Sequence, residues 1–535
     1  MLNAIFVLFA IFFTLKAIKA FHLRSKLPPG PSGVPIFGNV FQLPQNQMWL
    51  AFDKWTKQYG PIFYLNIAGQ DVIVLGHRKA ATDLLDRRAN AYSDRPELVV
   101  SNLFAGGMHW ALAQADGFWK KQRRRAYEAL NGQTAKEYFP YQETESVILV
   151  DQLLTNPENF LEHFWRVSTS LNLSIIYGWS PVLDSNHPTI LQLDIFNRRI
   201  LEAAVPNGSF WVEFKYFNWM KYLPAWMCSW RRYAEKKFAH DSIMLEGLSA
   251  DVRKRMEAGD DSVCVAGKIL ESTESPFEAA WNSATIYSAG SETTSTQLAW
   301  FMQAVILYPE AQRRAHEELD RVVGSFRLPS FDDYEHLPYI RAMVKEILRW
   351  RPAGPFGIPH RLNQDDYYEG YFLPKGTICF PNLWSIHHDT ELYGDDAEHF
   401  NPSRFLNVDG IIESSIEDTK DEGHFGFGFG KRPTLNVQRS CVGRHIANNS
   451  LFIHIAYMLW AFNITAEIDS NGTTKLPDPL QVIEGLTTPP MPFGCKITPR
   501  NADVVGLIAQ AKIERLGVQA DPRASSLSQK DQRAL

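Results

Sequence analysis

"SPFEAAWNSATIYSAGSETTSTQLAWFMQAVILYPE", Ser275 to Glu310, decides the fold. Ser275 stands where an N-cap belongs, Pro276 takes the first helical position, and Glu278 follows at capping-box spacing. The run then stays apolar to Leu307, about 30 residues or roughly 45 Å of helix at the usual rise. A helix that long and that apolar must cross the centre of the protein. Its middle reads "AGSETT", Ala289 to Thr294. Glycine there is about 1 kcal/mol worse than alanine. A Thr293 hydroxyl turned back to the carbonyl of Ala289 loosens the ladder and predicts a kink. Free carbonyls and a hydroxyl beside the acid Glu292 suit holding a small polar molecule and passing protons to it. Close helix–helix packing explains the same small residues equally well.

Around this helix the pattern is mostly helical. A second helix is predicted over Pro309 to Val323, with Gly324 as its stop, and a third from about Tyr339 that must end before Pro352. Strand-like runs are confined to Pro61–Gly76 and Tyr367–Phe380. The fold class is therefore mainly α with small β-sheets. At 535 residues, 45% hydrophobic and 13% aromatic, the chain can enclose a roomy apolar interior within one large domain. A net charge of -5 gives no support to a nucleic-acid partner. The five cysteines (Cys228, Cys264, Cys379, Cys441, Cys495) are scattered and form no CxxC pair. That excludes a disulfide scaffold or structural zinc site and suits a reducing compartment.

Residues 1–21 contain the apolar run "LNAIFVLFAIFFTL" and predict a single membrane anchor, with Lys16 and Lys19 snorkelling. A cleaved signal peptide fits less well, because no basic segment precedes the run and no small-residue cleavage site closes it. Positive charge follows instead, at Lys16, Lys19, Arg24 and Lys26, which places the rest of the chain on the cytosolic side. Residues 22–39 form a basic, proline-rich hinge, residues 40–500 the catalytic body, and residues 501–535 a polar tail.

Chemistry concentrates at three further places. Glu346 and Arg349, in "KEILR", share a helix face, and Arg404 in "FNPSRF" offers a second arginine. A buried carboxylate between two arginines is a satisfied polar knot. Cys441 precedes the apolar helix "VGRHIANNSLFIHIAYMLWAF", where free amide groups favour a thiolate, and Gly443 allows close approach to the sulfur. A buried structural cysteine is the plainer alternative.

Five motifs stand in one order: WxxxR at Trp119–Arg123, AGxET at Ala289–Thr293, ExxR at Glu346–Arg349, a PxRF-type turn at Pro402–Phe405, and RxCxG at Arg439–Gly443. The series resembles the cytochrome P450 family, in its membrane-anchored eukaryotic form. "PHRL" at Pro359–Leu362 and "LPKGT" at Leu373–Thr377 look like fungal members that oxidise secondary metabolites. The resemblance implies the P450 fold, a haem b cofactor, and Cys441 as the axial iron ligand. It implies that Thr293 and Glu292 steer protons and that Ala289 and Gly290 form an oxygen groove. Trp119, Arg123 and His360 would meet the haem propionates, Phe427 would pack on the haem, and Glu346, Arg349 and Arg404 would lock the fold. Arg439 and Gly443 fit the cysteine loop. Electrons would come from NADPH through NADPH–cytochrome P450 reductase at the endoplasmic reticulum membrane, with Lys120, Lys121, Arg124 and Arg125 facing that acidic donor. The substrate would be a hydrophobic small molecule (terpenoid, polyketide or indole type), touched by Phe104–Trp110, Phe210–Phe217, Ala353–Ile358 and Leu486–Thr488.

Two departures matter. The family's loop phenylalanine stands seven residues before the ligand and its glycine four before, but those places hold Thr434 and Val437. The expected pair appears at Phe427 and Gly430, so seven extra residues lie at about Arg432–Gln438. They bulge outward harmlessly, or they drag Phe427 away and leave an impaired or inactive haem-binding membrane protein, or they are a translated non-coding piece. Second, Ser403 replaces the glutamate usual in the PxRF turn.

Overall fold

The computed structural model describes residues 25–184, 186–204, 211–213, 218–413, 416–430, 439–469 and 471–517. The expected anchor (1–21), most of the substrate segment 210–217 and the extra residues 432–438 lie outside them. Among the described residues no helix is long and apolar enough to cross a membrane.

The longer helices are α1 (Met48–Tyr59), α2 (Gly117–Leu130), α3 (Phe139–Thr155), α4 (Phe160–Tyr177), α5 (Pro188–Ala204), α6 (Ser229–Glu257), α7 (Pro276–Leu307), α8 (Pro309–Val322), α9 (Pro338–Trp350), α10 (Arg444–Ala461) and α11 (Asp503–Leu516). The strands are β1 (Ile62–Ile67), β2 (Gln70–Leu75), β3 (His360–Arg361), β4 (Asp366–Tyr368), β5 (Tyr371–Leu373), β6 (Ile378–Pro381), β7 (Phe462–Ile468), β8 (Thr474–Lys475) and β9 (Cys495–Pro499). They form a four-stranded sheet in the order β1-β2-β6-β3, a β4-β5 hairpin and a three-stranded sheet β8-β7-β9. In the large sheet β2 pairs parallel with β6, Val74 opposite Phe380, while β3 pairs antiparallel with β6, His360 opposite Cys379.

Helix α7 crosses the interior as its composition demands. Its first half, Ala279 to Tyr287, joins a core with Leu171 of α4, Phe196 of α5 and Leu245 of α6. Its second half, Leu298 to Ile306, joins another with Trp350 of α9 and Met458 of α10. One helix thus binds two apolar cores, which explains why it is hydrophobic on every side.

Two local expectations need correcting, the capping box at Glu278 and the free basic face that includes Arg125. Ser275 does cap α7, its hydroxyl accepting from the Glu278 amide at 3.2 Å. The Glu278 carboxylate, however, reaches across to Arg125 at 2.8 Å and Lys121 at 3.1 Å of α2 rather than back to Ser275. Charged donors outcompete a lone amide for a carboxylate. Arg125 is buried in this contact, so it is not part of a free basic face for an electron donor. Helix α7 runs as one helix from Pro276 to Leu307. The Thr293 hydroxyl bonds the Ala289 carbonyl at 3.2 Å as expected. But Ser168 of α4 donates to the carbonyls of Ser291 at 2.7 Å and Gly290 at 3.3 Å, bracing the helix. A Cβ at Gly290 would lie 2.4 Å from the Asn172 side-chain oxygen, so close α4 packing also requires this glycine. Finally, part of the polar tail is helix α11, docked through buried Val504, Ile508 and Ala511. Lys512–Asp151 at 2.6 Å and Arg515–Glu143 at 2.9 Å tie it to α3.

Candidate active site

Helix α10 starts at Arg444 with Gly443 as its cap residue, so Cys441 sits just ahead of a free helix end. The Cys441 amide donates to the Phe427 carbonyl at 2.8 Å. Gly430 has φ +137, and a Cβ there would lie 2.4 Å from the Arg439 nitrogen. The glycine-rich turn and the "RSCVG" segment therefore touch at both places where the intervening residues leave and return. A chain excursion between touching ends costs little beyond loop entropy. Phe427 keeps its seat against the core, with its ring 5.4 Å from that of His424.

Cys441 keeps an exposed face, yet protein atoms enclose the sulfur on its other sides. That enclosure governs its titration and pushes the thiol up, outweighing the Gly443 amide, Arg123 and Arg444, which pull it down. The helix end alone does not make this thiol a thiolate. An iron ligand bond would, since metal binding expels the thiol proton.

Beside the cysteine lies a cluster of buried cations. Arg439 donates to the carbonyls of Ser93 at 2.8 Å and Ala113 at 2.6 Å, and its guanidinium stacks 4.1 Å above the Trp119 ring. Arg123 donates to the Ser440 carbonyl. Arg95 holds the carbonyls of Ile358 and Pro359, each at 2.7 Å. Burial lowers all three, Arg439 to about 8, Arg95 to about 9 and Arg123 to about 10; Arg95 and Arg123 add repulsion at Arg439, Arg123 at Arg95, and Arg444 at Arg123. Among the described residues none of the three has an ion-pair partner. His360 donates Nδ1 to the Tyr92 carbonyl at 2.7 Å; burial, then Arg95, hold it neutral. The buried Trp119 Nε1 has no partner. Three uncompensated guanidinium groups, a spare indole N–H and a neighbouring thiol fit a haem, whose two propionates supply the missing negative charge.

The sequence pointed to Trp119, Arg123, His360 and Arg439 but missed Arg95, which no spacing ties to the others. His109, named only as part of the Phe104–Trp110 segment, is a buried imidazole with neither nitrogen partnered among the described residues, its pKa lowered to about 4 by burial.

Helix α7 is buried from Ala279 to Ser288 and again from Thr296 to Ile306, but Ala289 is exposed and Glu292 to Ser295 are half-buried. The accessible turn is the one carrying Glu292 and Thr293. Trp110 is pinned to α7 by its Nε1 bond to Asn282 Oδ1 at 2.9 Å. Thr487 donates to Glu292 Oε2 at 3.1 Å, and the Thr488 amide donates to the Ala353 carbonyl at 2.8 Å. Three of the segments expected to touch substrate are thereby tied to this helix or to each other.

The expected polar knot is complete. Arg349 grips Glu346 with two bonds of 2.7 Å, and Arg404 Nε reaches Glu346 Oε1 at 3.0 Å. Arg349 also holds the carbonyls of His387 and Ala397 at 2.7 Å and His399 at 3.0 Å. Despite burial, the Glu346 charge raises the Arg349 pKa. Ser403, in the glutamate's place, accepts from Arg314 instead.

Residues 28–497 match the profile of the family described as Cytochrome P450. A cytochrome P450 monooxygenase of Armillaria gallica is 44% identical over 508 residues, 93% of this chain and 94% of its own. Cytochrome P450 monooxygenase 253 of Postia placenta is 40% identical over 492 residues, 91% of each chain. Cytochrome P450 monooxygenase iboC of Amanita muscaria is 37% identical over 537 residues, 91% of this chain and 93% of its own. The match spans both cores and every motif of the series, so the chain belongs to the cytochrome P450 family of haem-thiolate monooxygenases.

Proposed function

We propose that this enzyme hydroxylates or otherwise oxidises a hydrophobic secondary metabolite, of terpenoid, polyketide or indole type, with electrons delivered by NADPH–cytochrome P450 reductase. The observation that carries the reading is the accessible Glu292–Thr293 turn, bordered by mostly apolar segments. The half-buried Ala353, Phe356 and Leu486 keep apolar surface, the buried Phe104, Ala105 and Trp110 back their segment with apolar bulk, and Thr487 and Thr488 add few polar groups, a balance suited to a greasy ligand.

Bound to Cys441, haem supplies oxygen activation, the thiolate's electron donation favouring O–O cleavage. The chain's own residues do the rest. Arg95, Arg123, Arg439, His360 and Trp119 would hold the porphyrin edge. Phe427 would shield the cysteine, and the exposed Ala289, next to Gly290, would border the space for oxygen. Thr293 and Glu292 relay protons to that space. Replacing Thr293 by alanine should lower product formation about 100-fold if the hydroxyl acts as a general acid. NADPH should still be oxidised, its electrons reducing dioxygen to hydrogen peroxide; unchanged product per NADPH would remove Thr293 from the relay.

The close approach of Gly430 and Arg439 supports an intact cysteine loop over the impaired reading. A variant lacking residues 432–438 should keep the haem content and ferrous–CO spectrum of the full chain. Loss of haem on deletion would show that the extra residues are part of the site. Anchoring in the endoplasmic reticulum membrane through residues 1–21 belongs to the same proposal. Carbonate-resistant membrane association of the full chain, lost when those residues are removed, is the expected outcome.

The most direct test of the function is reconstitution with the reductase and a panel of apolar metabolites. A substrate-induced spin-state change followed by NADPH-dependent product is expected. Turnover of charged or sugar-like compounds alone would overturn the substrate class.

A further inference from the structure

Glu292 is held by two elements outside its own helix. Asn197 of α5 donates Nδ2 to Glu292 Oε1 at 3.3 Å, and Thr487 donates to Oε2 at 3.1 Å. The same amide group donates to Ser291 Oγ at 3.3 Å, and its oxygen accepts from Ser288. Asn197 is buried and spends its whole amide on one stretch of α7. Neither Glu292 oxygen bonds Thr293, whose hydroxyl is turned to Ala289. One turn earlier and one residue later on α5 stand Asp194 and Arg198, an ion pair at 2.6 Å whose arginine side chain is 63% exposed.

We propose that Asn197 is a positioning residue for Glu292, which with Thr487 aims the carboxyl at α5, so that protons reach it from solvent past Asp194 and Arg198. The inference rests on the monooxygenase reading and deepens it. In each delivery the O–H bond of the Glu292 carboxyl breaks and one forms at Thr293 Oγ1, whose own proton passes to the oxygen co-substrate as it takes up electrons from the reductase, and Glu292 is left as a carboxylate. A proton from solvent then restores Glu292. For the carboxyl to face Thr293 it must release Asn197, which ties delivery to the position of α5.

The surrounding charges fit this reading. Burial raises the Glu292 pKa above its ordinary value, Asp194 raises it further, and Thr487 and Arg198 oppose. A hydrogen bond donated to a carboxylate favours its ionised form, so removing Asn197 should keep the acid protonated to higher pH.

The test is an infrared pH titration of the ferric, substrate-free holoenzyme, reading the protonated carboxyl band that Glu292→Gln removes. Asn197→Ala should move the band's midpoint up by about 0.5–1 pH unit, and Thr487→Val should move it the same way. Asn197→Asp keeps an acceptor for Ser288 but faces Glu292 with a carboxyl, so its shift should be the larger. In turnover, the alkaline limb of the rate profile should move in parallel, and more NADPH should end as peroxide. Midpoints equal to wild type in both Asn197→Ala and Asn197→Asp would overturn the proposal. The titration reads Glu292 directly. Shifted midpoints in a protein that oxidises no apolar compound would sink the function while leaving the positioning role standing.

Discussion

Exchanging Glu346 for alanine is expected to leave little or no soluble, haem-containing protein. Arg349 is fully buried, and the Glu346 carboxylate is its one ion-pair partner among the described residues, while Arg404 and the Asn401 amide share the same Oε1. Removing one partner of such a pair strands a charge, at a cost of about 3–5 kcal/mol. Against a total stability of about 5–15 kcal/mol for a folded protein, that is a large fraction. The carbonyls of His387, Ala397 and His399, which Arg349 gathers, would lose their anchor as well. Glu346→Gln keeps the shape and one hydrogen-bond acceptor and should lose less. Arg404→Ala should also be milder, because Glu346 keeps both bonds from Arg349. Chemical denaturation of the purified variants measures the order. Equal stability of Glu346→Ala and the parent would show that the knot contributes nothing.

The second large effect is expected at Cys441. Alanine there removes the one thiol with an exposed face among the described residues, since Cys228, Cys264 and Cys379 are buried (Cys379 opposite His360 across β3 and β6) and Cys495 is half-buried on β9. The Phe427–Cys441 backbone bond survives such a change, so the loop itself should hold. Folding should therefore be retained while iron ligation and all substrate oxidation are lost. Far-ultraviolet dichroism like that of the parent, with haem content near zero, is the predicted pair of results. Cys441→Ser should behave alike, because a hydroxyl is a poor substitute for a thiolate on iron.

Much of this arrangement was legible in the letters. Helix α7 announces itself by its cap, its proline and its unbroken apolar run, and α9 ends at Trp350, ahead of Pro352. The knot was legible because two of its members share a helix face and the third lies in a recognisable turn. What spacing could not reveal were contacts made across the fold. Arg95 joins Arg123 and Arg439 only after three distant segments meet. Asn197 looks like any polar residue on a helix until α5 packs against α7. Glu278 reads as half of a capping box because its stronger partners, Arg125 and Lys121, are more than a hundred residues away in sequence. Helix α11 was hidden by its polar surroundings, since three small contacts (Val504, Ile508, Ala511) carry its docking.

Everything proposed for the site depends on the Cys441 sulfur binding iron with the extra residues 432–438 in place. The reduced, carbon-monoxide-bound absorption spectrum of the intact chain tests this most directly. A long-wavelength Soret band of the thiolate type, abolished in Cys441→Ala, is the predicted result. A band of the neutral-ligand type in the intact chain, or a thiolate band that survives the exchange, would contradict it.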